Sequence, residues 1–390
     1  MKICHLMYDD IANPWLGGGG AVRAMELYRR LASRHEITVV SGLFPGAELE
    51  TEQHGLRLLR VGSARSYALS RLGYCCAAVA QLQRLEWDLW INEFSAFAPL
   101  CVPAALRRQG LLLFYHFMGW HALAKHPLVG GVAWLCEQRA LRAYGRILTI
   151  APSVQACVQR RAHAAEVDLV YSGVDRRFFA LVPEEAPYLL YFGRMDIHTK
   201  GIDLLIAAFA EIAAEHPDIR LKLAGRGTPK QLANVHSLVR RAGLEGRVEV
   251  IGSVEEEQQG ELLRRALMVC VPSRYEGWCM VAVEAAAAGK AVLGTDIDGL
   301  RDAVRHDETG VLVPPDDVGA LADGMRALIA DDSKRQRLGA AGRAWAGRFS
   351  WDRLAEDLED VYLRTVEEMG RGTPHPEGNP KGCPYGGIDM

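Results

Sequence analysis

Short, continuously apolar runs alternate with longer amphipathic stretches along this chain, and the alternation runs twice. In the first half KICHLMY (2–8), EITVVSG (36–42), LRLLRV (56–61), WDLWIN (87–92), LLLFYHF (111–117), GRILTIAPS (145–153) and DLVYSGVD (168–175) read as strands. Helical spacing fills the gaps, as in AVRAMELYRRLASR (21–34), where Val22, Met25, Leu27 and Leu31 recur at helical intervals. Strands that are apolar throughout are buried on both faces, which calls for a parallel sheet covered by helices on each side. VPEEAP (182–187) is a polar break flanked by proline. The pattern then restarts, with YLLYFGR (188–194), IRLKLAG (219–225), RVEVIG (247–252), LMVCVPS (267–273), KAVLGT (290–295) and GVLVPP (310–315) alternating with helices. The sequence therefore predicts two doubly wound α/β domains, at 1–181 and 188–348. FSWDRLAEDLEDVYLRTVEE (349–368) places Trp351, Leu354, Leu358, Val361 and Tyr362 on one face. A closing helix over 349–369 is expected to pack back on the first domain. The Gly- and Pro-rich remainder, 370–390, has no periodicity and is expected to be disordered.

A chain of 390 residues is too long for one ordinary core, so its length agrees with two domains. A net charge of −3 gives no general pull toward nucleic acid or an anionic membrane, and nucleic acid is not an expected partner. The nine cysteines never occur as Cys-x-x-Cys, which argues against a structural zinc site. Their odd number, with an N-terminus that enters a strand directly and lacks the features of a secretory signal, predicts a reducing, cytoplasmic location. No stretch approaches the ~20 apolar residues of a membrane span.

SRYEGWCMVAVEAAAAGK (273–290) concentrates the chemistry. Glu284 is the single acid within a run of small and apolar residues, and Glu276 stands just before it. A buried charge without a partner is costly, so a ligand or a counter-group must justify Glu284. A helix is predicted from about Trp278 to Ala288, following the strand LMVCV. The amides of Gly277, Trp278 and Cys279 would then form a helix N-terminus suited to phosphate, beyond the carboxyl end of a strand. The residues alone leave a second reading open, an exposed acid at 276 and a surface ion pair at 284. In YFGRMDIHTKGIDLLIAAF (191–209), Arg194 ends a strand and Lys200 with Gly201 opens a helix. Two cations beside a helix N-terminus are suited to a diphosphate leaving group, although taken singly they read as ordinary surface charges. PWLGGGGAV (14–22) is neither a dinucleotide fingerprint nor a P-loop, but its glycines let backbone amides approach a ligand. His116 falls at the end of an apolar strand, where a lone histidine by itself is more often structural.

EGWCMVAVE (276–284) resembles the Glu-x7-Glu signature of retaining glycosyltransferases of the family-4 type, the group 1 glycosyl transferases with a GT-B fold. The resemblance covers residues 1 to about 368 and is strongest over 188–320. It implies two Rossmann-like domains facing a cleft, the first binding the acceptor and the second a nucleotide diphospho-sugar. It implies that Glu276 holds hydroxyls of the donor sugar, Glu284 the ribose, and Arg194 and Lys200 the phosphates. Gly18 and Gly19 would lie near the donor phosphate and the acceptor, and His116 would face the reacting sugar. Three departures stand out: His198 lengthens the spacing between the two cations, Ser172 replaces Asn in YSGVD, and Asp298 and Asp302 replace Gly and Glu in TDIDGLRDAV. The implied reaction is retaining transfer of a sugar to an acceptor hydroxyl, with no metal or other cofactor. The acceptor would be a glycan, a lipid-linked molecule or a small metabolite, in envelope polysaccharide, lipopolysaccharide or glycoconjugate synthesis. A nucleotide-sugar epimerase of the same architecture and a catalytically silent relative are the alternatives. HFMGWHALAKHPLVGGVAWLCEQRALRAYGR (116–146) mixes Trp120, Leu123, Leu128, Val129 and Trp134 with Lys125, Arg139, Arg142 and Arg146. It reads either as a core-facing helix with a basic solvated side or as a peripheral contact with the inner face of a membrane.

Overall fold

The apolar runs assemble into two sheets. In the computed structural model, which describes residues 1–15, 17–95, 102–117 and 127–371, the first sheet contains β1 (Lys2–Leu6), β2 (Glu36–Gly42), β3 (Glu50–Gln53), β4 (Leu56–Val61), β5 (Leu89–Glu93), β6 (Gly110–Phe114), β7 (Arg146–Thr149) and β8 (Glu166–Leu169). Their spatial order is β3-β4-β2-β1-β5-β6-β7-β8. The second contains β9 (Tyr188–Phe192), β10 (Arg220–Ala224), β11 (Val248–Gly252), β12 (Met268–Val271), β13 (Ala291–Thr295) and β14 (Val311–Val313), ordered β11-β10-β9-β12-β13-β14. Residues 118–126 of the aromatic and basic segment and 372–390 of the expected tail lie outside the described residues.

All pairs are parallel except β3 with β4, where Thr51 lies opposite Leu58 in an antiparallel edge. The sequence reading has no strand there, because ETEQ is polar throughout and its backbone alone completes the edge. β8 also begins earlier than expected, which leaves Tyr171–Asp175 in irregular chain after it. Full burial explains why the inner strands are largely apolar: Leu89, Trp90, Ile91, Leu111, Leu112, Phe114, Ile147 and Leu148 have no exposed surface.

In each sheet the chain reverses its direction of winding at one place, between β1 and β5 in the first and between β9 and β12 in the second. Crossover helices on opposite faces leave a crevice at such a point, beyond the carboxyl ends of the strands. The two crevices face one another. The junction between the sheets is packed by aromatic rings: Trp278 lies 5.1 Å from Tyr171 and 5.0 Å from Phe349, centroid to centroid. The closing helix, Trp351–Arg371, returns to the Gly19–Leu31 helix, and its predicted apolar face is buried. Tyr362 and Tyr28 share a hydrogen bond of 3.0 Å, Arg30 pairs with Asp352 at 2.6 Å and His35 meets Glu359 at 2.6 Å. The helix extends to Arg371, two residues beyond the expected end.

Candidate functional site

The two crevices enclose a cavity of about 420 Å³. Its wall on the first-sheet side includes Asp9, Gly19, Gly20, Arg71, Glu93, Tyr115, His116 and Ser172, and the opposite wall includes Arg194, Thr199, Lys200, Tyr275, Glu276, Gly277, Trp278 and Met280. Each element ends where a side chain is needed. Gly193 follows β9 at φ +157, and Arg194 projects into solvent just after it. A short turn, Ile197–Lys200, carries Lys200 and is capped by Asp196, whose carboxylate accepts from the Thr199 amide. Gly201 then starts the Ile202–Ile212 helix at φ +65, where a Cβ would sit 1.9 Å from the Pro272 carbonyl oxygen. No other residue fits there, which fixes Lys200 against the loop that follows β12.

Lys200 Nζ donates to Glu276 Oε1 at 2.6 Å, and Ser273 Oγ donates to the same oxygen at 2.8 Å. The predicted phosphate cation and the predicted sugar acid therefore hold one another. Among the described residues no carboxylate pairs with Arg194. His116 stands across the cleft with its ring 5.5 Å from that of Tyr275. Desolvation pushes its imidazole down; Glu276 opposes this, and Arg194 and Lys200 add to it, so the ring is neutral near pH 7. Glu284 projects from the Met280–Ala287 helix and accepts from Gln259 Nε2 at 3.2 Å. Burial pushes its carboxyl up to about 7, with Arg177 opposing and Asp175 adding. Neither acid matches the surface reading: Glu276 is part of a shielded ion pair, and Glu284 has no ion pair among the described residues.

The helix after β12 begins at Met280 with Cys279 as its cap, later than expected. Its free first-turn amides therefore start at Met280, and Gly277, Trp278 and Cys279 form the loop before it. Gly277 and Trp278 still line the cavity, whereas Cys279 is buried and its thiol is pushed up by desolvation. The glycine loop differs in a similar way. The Gly18 amide donates to Asp9 Oδ2 at 2.8 Å, so it is committed to the protein, and Gly19 and Gly20 are the glycines that line the cavity. Of the departures, Ser172 is buried at the cavity wall. Asp302 crosses between domains to accept from the Ser153 amide at 3.1 Å and from its hydroxyl. The tight glycine is Gly299, where a Cβ would lie 2.4 Å from the Glu276 carbonyl oxygen.

Four cavity groups, Asp9, Arg71, Glu93 and Tyr115, escaped the sequence reading. Asp9 and Glu93 follow or end strands of the first sheet, and burial pushes their carboxyls up to about 6 and about 8. Tyr115 donates to Glu93 at 3.1 Å. Arg71 lies under the same wall, its guanidinium 4.4 Å from the Tyr8 ring centroid and bonded to Tyr67 and Ser95. Their position at strand ends was the available signal for the two acids, but acids at strand ends are common and nothing local separates these.

The domains close directly on one another at the cleft. A Cβ on Gly277 would lie 2.7 Å from the Tyr115 carbonyl oxygen, and one on Gly19 would lie 3.2 Å from Met280 Sδ. Tyr275 donates its hydroxyl to the Phe117 carbonyl.

Comparison with known proteins agrees with this architecture. The family model described as Glycosyl transferases group 1 matches residues 175–345, and that described as Glycosyltransferase Family 4 matches residues 17–178. A D-inositol 3-phosphate glycosyltransferase of Xylanimonas cellulosilytica is 37% identical over 188 residues, 48% of this chain and 44% of that protein. A phosphatidyl-myo-inositol mannosyltransferase of Mycobacterium tuberculosis is 33% identical over 224 residues, 54% of this chain and 57% of that protein. The match thus spans about half the length of these curated relatives. Among solved structures, sucrose-phosphate synthase from Thermosynechococcus elongatus superposes with a TM-score of 0.81 at 22% identity, covering 94% of this chain and 99% of that one. Anabaena HepE in complex with UDP and glucose superposes with a TM-score of 0.72 at 20% identity, covering 93% and 100%. With the two family models meeting near residue 175 and two facing Rossmann-like sheets between them, this chain belongs to the group 1 glycosyltransferases and has their GT-B fold.

Proposed function

We propose that the protein transfers a sugar from a nucleotide diphospho-sugar to an acceptor hydroxyl, with retention of anomeric configuration. The observation that carries this reading is one cavity lined by Arg194, Lys200 and Glu276 from one sheet and by Gly19, Gly20 and His116 from the other. Arg194 and Lys200 would take the diphosphate, Glu276 the sugar hydroxyls and Glu284 the ribose. A structurally similar protein, HepE, has been crystallised with UDP-glucose, which supports a nucleotide-sugar donor. Lys200 exchanges its carboxylate partner for phosphate, and Glu276 is freed to accept from the sugar. The anomeric C–O bond to phosphate breaks as the acceptor oxygen bonds to the same face, and the acceptor proton passes to the departing phosphate. Neutral His116 serves this step as a hydrogen-bonding group beside the sugar. Closed domains exclude water, whose attack would waste the donor. Cations and helix amides stabilise the leaving group, so no metal is required in this reading.

The first-sheet wall, with Arg71, Asp9 and Glu93, is assigned to the acceptor. The Pro127–Ala143 helix supports a peripheral membrane contact: Val132, Leu135, Arg139 and Arg142 are exposed at helical spacing, with Trp134 exposed beside them. Among the described residues, no helix is long and apolar enough to cross a membrane. Leu135→Ser with Trp134→Ser should abolish co-sedimentation with anionic vesicles; wild-type protein that fails to sediment with them contradicts the contact.

Thermal unfolding against UDP-, GDP-, ADP- and dTDP-sugars identifies the donor, because a ligand bound only by the folded state raises the midpoint. Incubation with that donor and candidate acceptors should release free nucleoside diphosphate and a heavier acceptor. An isomerised sugar nucleotide without any acceptor would identify an epimerase, and donor binding without turnover a silent relative.

A further inference from the structure

Glu284 lies on a helix whose other residues are Ala, Val and Met, and among the described residues it forms no ion pair. The charge that acts on it most is Arg177, whose guanidinium is engaged with Glu256 at 2.6 Å. Between Arg177 and Glu284 stands one neutral side chain. Arg177 Nη2 donates to Gln259 Oε1 at 3.0 Å, and Gln259 Nε2 donates to Glu284 Oε2 at 3.2 Å. Three separate elements converge here: the Arg176–Phe179 turn just before the linker, the Glu256–Arg265 helix and the Met280–Ala287 helix. Asp175 holds the turn by accepting from the Arg177 amide at 2.9 Å.

We infer that Gln259, oriented by Arg177, is a positioning residue that aims the Glu284 carboxylate at the pentose of the nucleotide. The inference rests on the donor site proposed above. Guanidinium has only donors and an ionised carboxylate only acceptors, so the amide between them has a single workable orientation, oxygen toward Arg177 and nitrogen toward Glu284. A direct Arg–Glu fork would engage both carboxylate oxygens. The relay engages Oε2 alone, and Oε1 has no hydrogen-bond partner among the described residues. One oxygen is thus anchored and the other left for a ribose hydroxyl. Arg177 also favours the ionised form of Glu284 against the opposing effect of burial.

The test is calorimetric titration of the full chain with UDP and GDP and with their 2′,3′-dideoxy counterparts. Wild-type protein should bind the ribonucleotide more tightly than its dideoxy counterpart, and Glu284→Ala should erase the difference. Gln259→Leu should weaken ribonucleotide binding about tenfold, the lower end of the worth of a hydrogen bond to a charged group, and leave dideoxy binding unchanged. Donor KM should rise by a similar factor while kcat holds. Gln259→Glu keeps the size and still accepts from Arg177, but cannot donate to ionised Glu284; its loss should be at least as large as that of the leucine variant. Equal weakening of both nucleotide types in Gln259→Leu, or an unchanged preference for ribose there, overturns the relay while leaving the donor site standing. A ribose preference that survives in Glu284→Ala overturns the donor-site reading and the relay with it.

Discussion

Replacing Glu276 by glutamine should have opposite effects on product binding and on catalysis. Lys200 is held by Glu276 at 2.6 Å, with only 18% and 11% of the two side chains exposed. A nucleoside diphosphate must take Lys200 from that carboxylate and leave it beside the phosphate, held by Ser273 alone. The substituted amide would keep the size of the side chain and an oxygen for Ser273, but, being neutral, it cannot compete for the ammonium as a carboxylate does. A charge-assisted hydrogen bond in such a setting contributes about 1.5–3 kcal/mol. UDP or GDP should therefore bind Glu276→Gln roughly 10- to 150-fold more tightly than wild type. Transfer should fall by about 10²–10³, the usual effect of removing one preorganised group that acts on the transition state. Titration calorimetry reads the first effect and single-turnover transfer the second. Weaker nucleoside diphosphate binding by the variant, or transfer at the wild-type rate, would refute this exchange of partners.

Gly277→Ala places a methyl 2.7 Å from the Tyr115 carbonyl oxygen and 3.0 Å from His116 Cβ. Overpacking of about 1–3 kcal/mol should hold the domains apart, lowering kcat with little change in nucleoside diphosphate affinity in the same titrations. Burial raises Glu93 from 4.5 to about 8, with Asp9 adding and the Tyr115 hydrogen bond opposing. The folded state therefore retains a proton that the unfolded state releases, and stability falls as pH rises toward that value. Neutral His5, lowered from 6.5 to about 3, acts in the opposite direction only below its unfolded value. From pH 6.5 to 8 the melting temperature should drop in wild type and drop less in Glu93→Gln; parallel curves would contradict the assignment. Transfer should proceed at full rate in EDTA, and loss of activity reversed by magnesium or manganese would disprove metal independence.

That Arg194, Lys200, Glu276 and His116 line one cavity was legible in part, because each follows a strand that is apolar from end to end and strand ends converge in a doubly wound sheet. The residues alone left their roles open, and only the family resemblance implied them. Chain order alone could not reveal that Lys200 and Glu276, 76 residues apart, neutralise one another. The same holds for Gln259 and Arg177, whose relay depends on the packing of three helical elements. The edge strand Glu50–Gln53 was hidden by its polar composition, since only its backbone takes part in the sheet. The start of the helix after β12 was misplaced by two residues because GWC carries no capping signal, and Cys279 caps it without a side-chain hydrogen bond. Asp302, which replaces a Glu of the family pattern, holds Ser153 of the other domain, a contact that chain order does not show.

Where the donor lies decides the roles of Arg194, Lys200, Glu276 and Glu284. A crystal structure with the nucleotide sugar identified by thermal unfolding should place the diphosphate within hydrogen-bonding distance of Arg194 and Lys200, the sugar at Glu276 and the ribose at Glu284. A donor seated away from these four side chains, with the Lys200–Glu276 pair still intact, would contradict it.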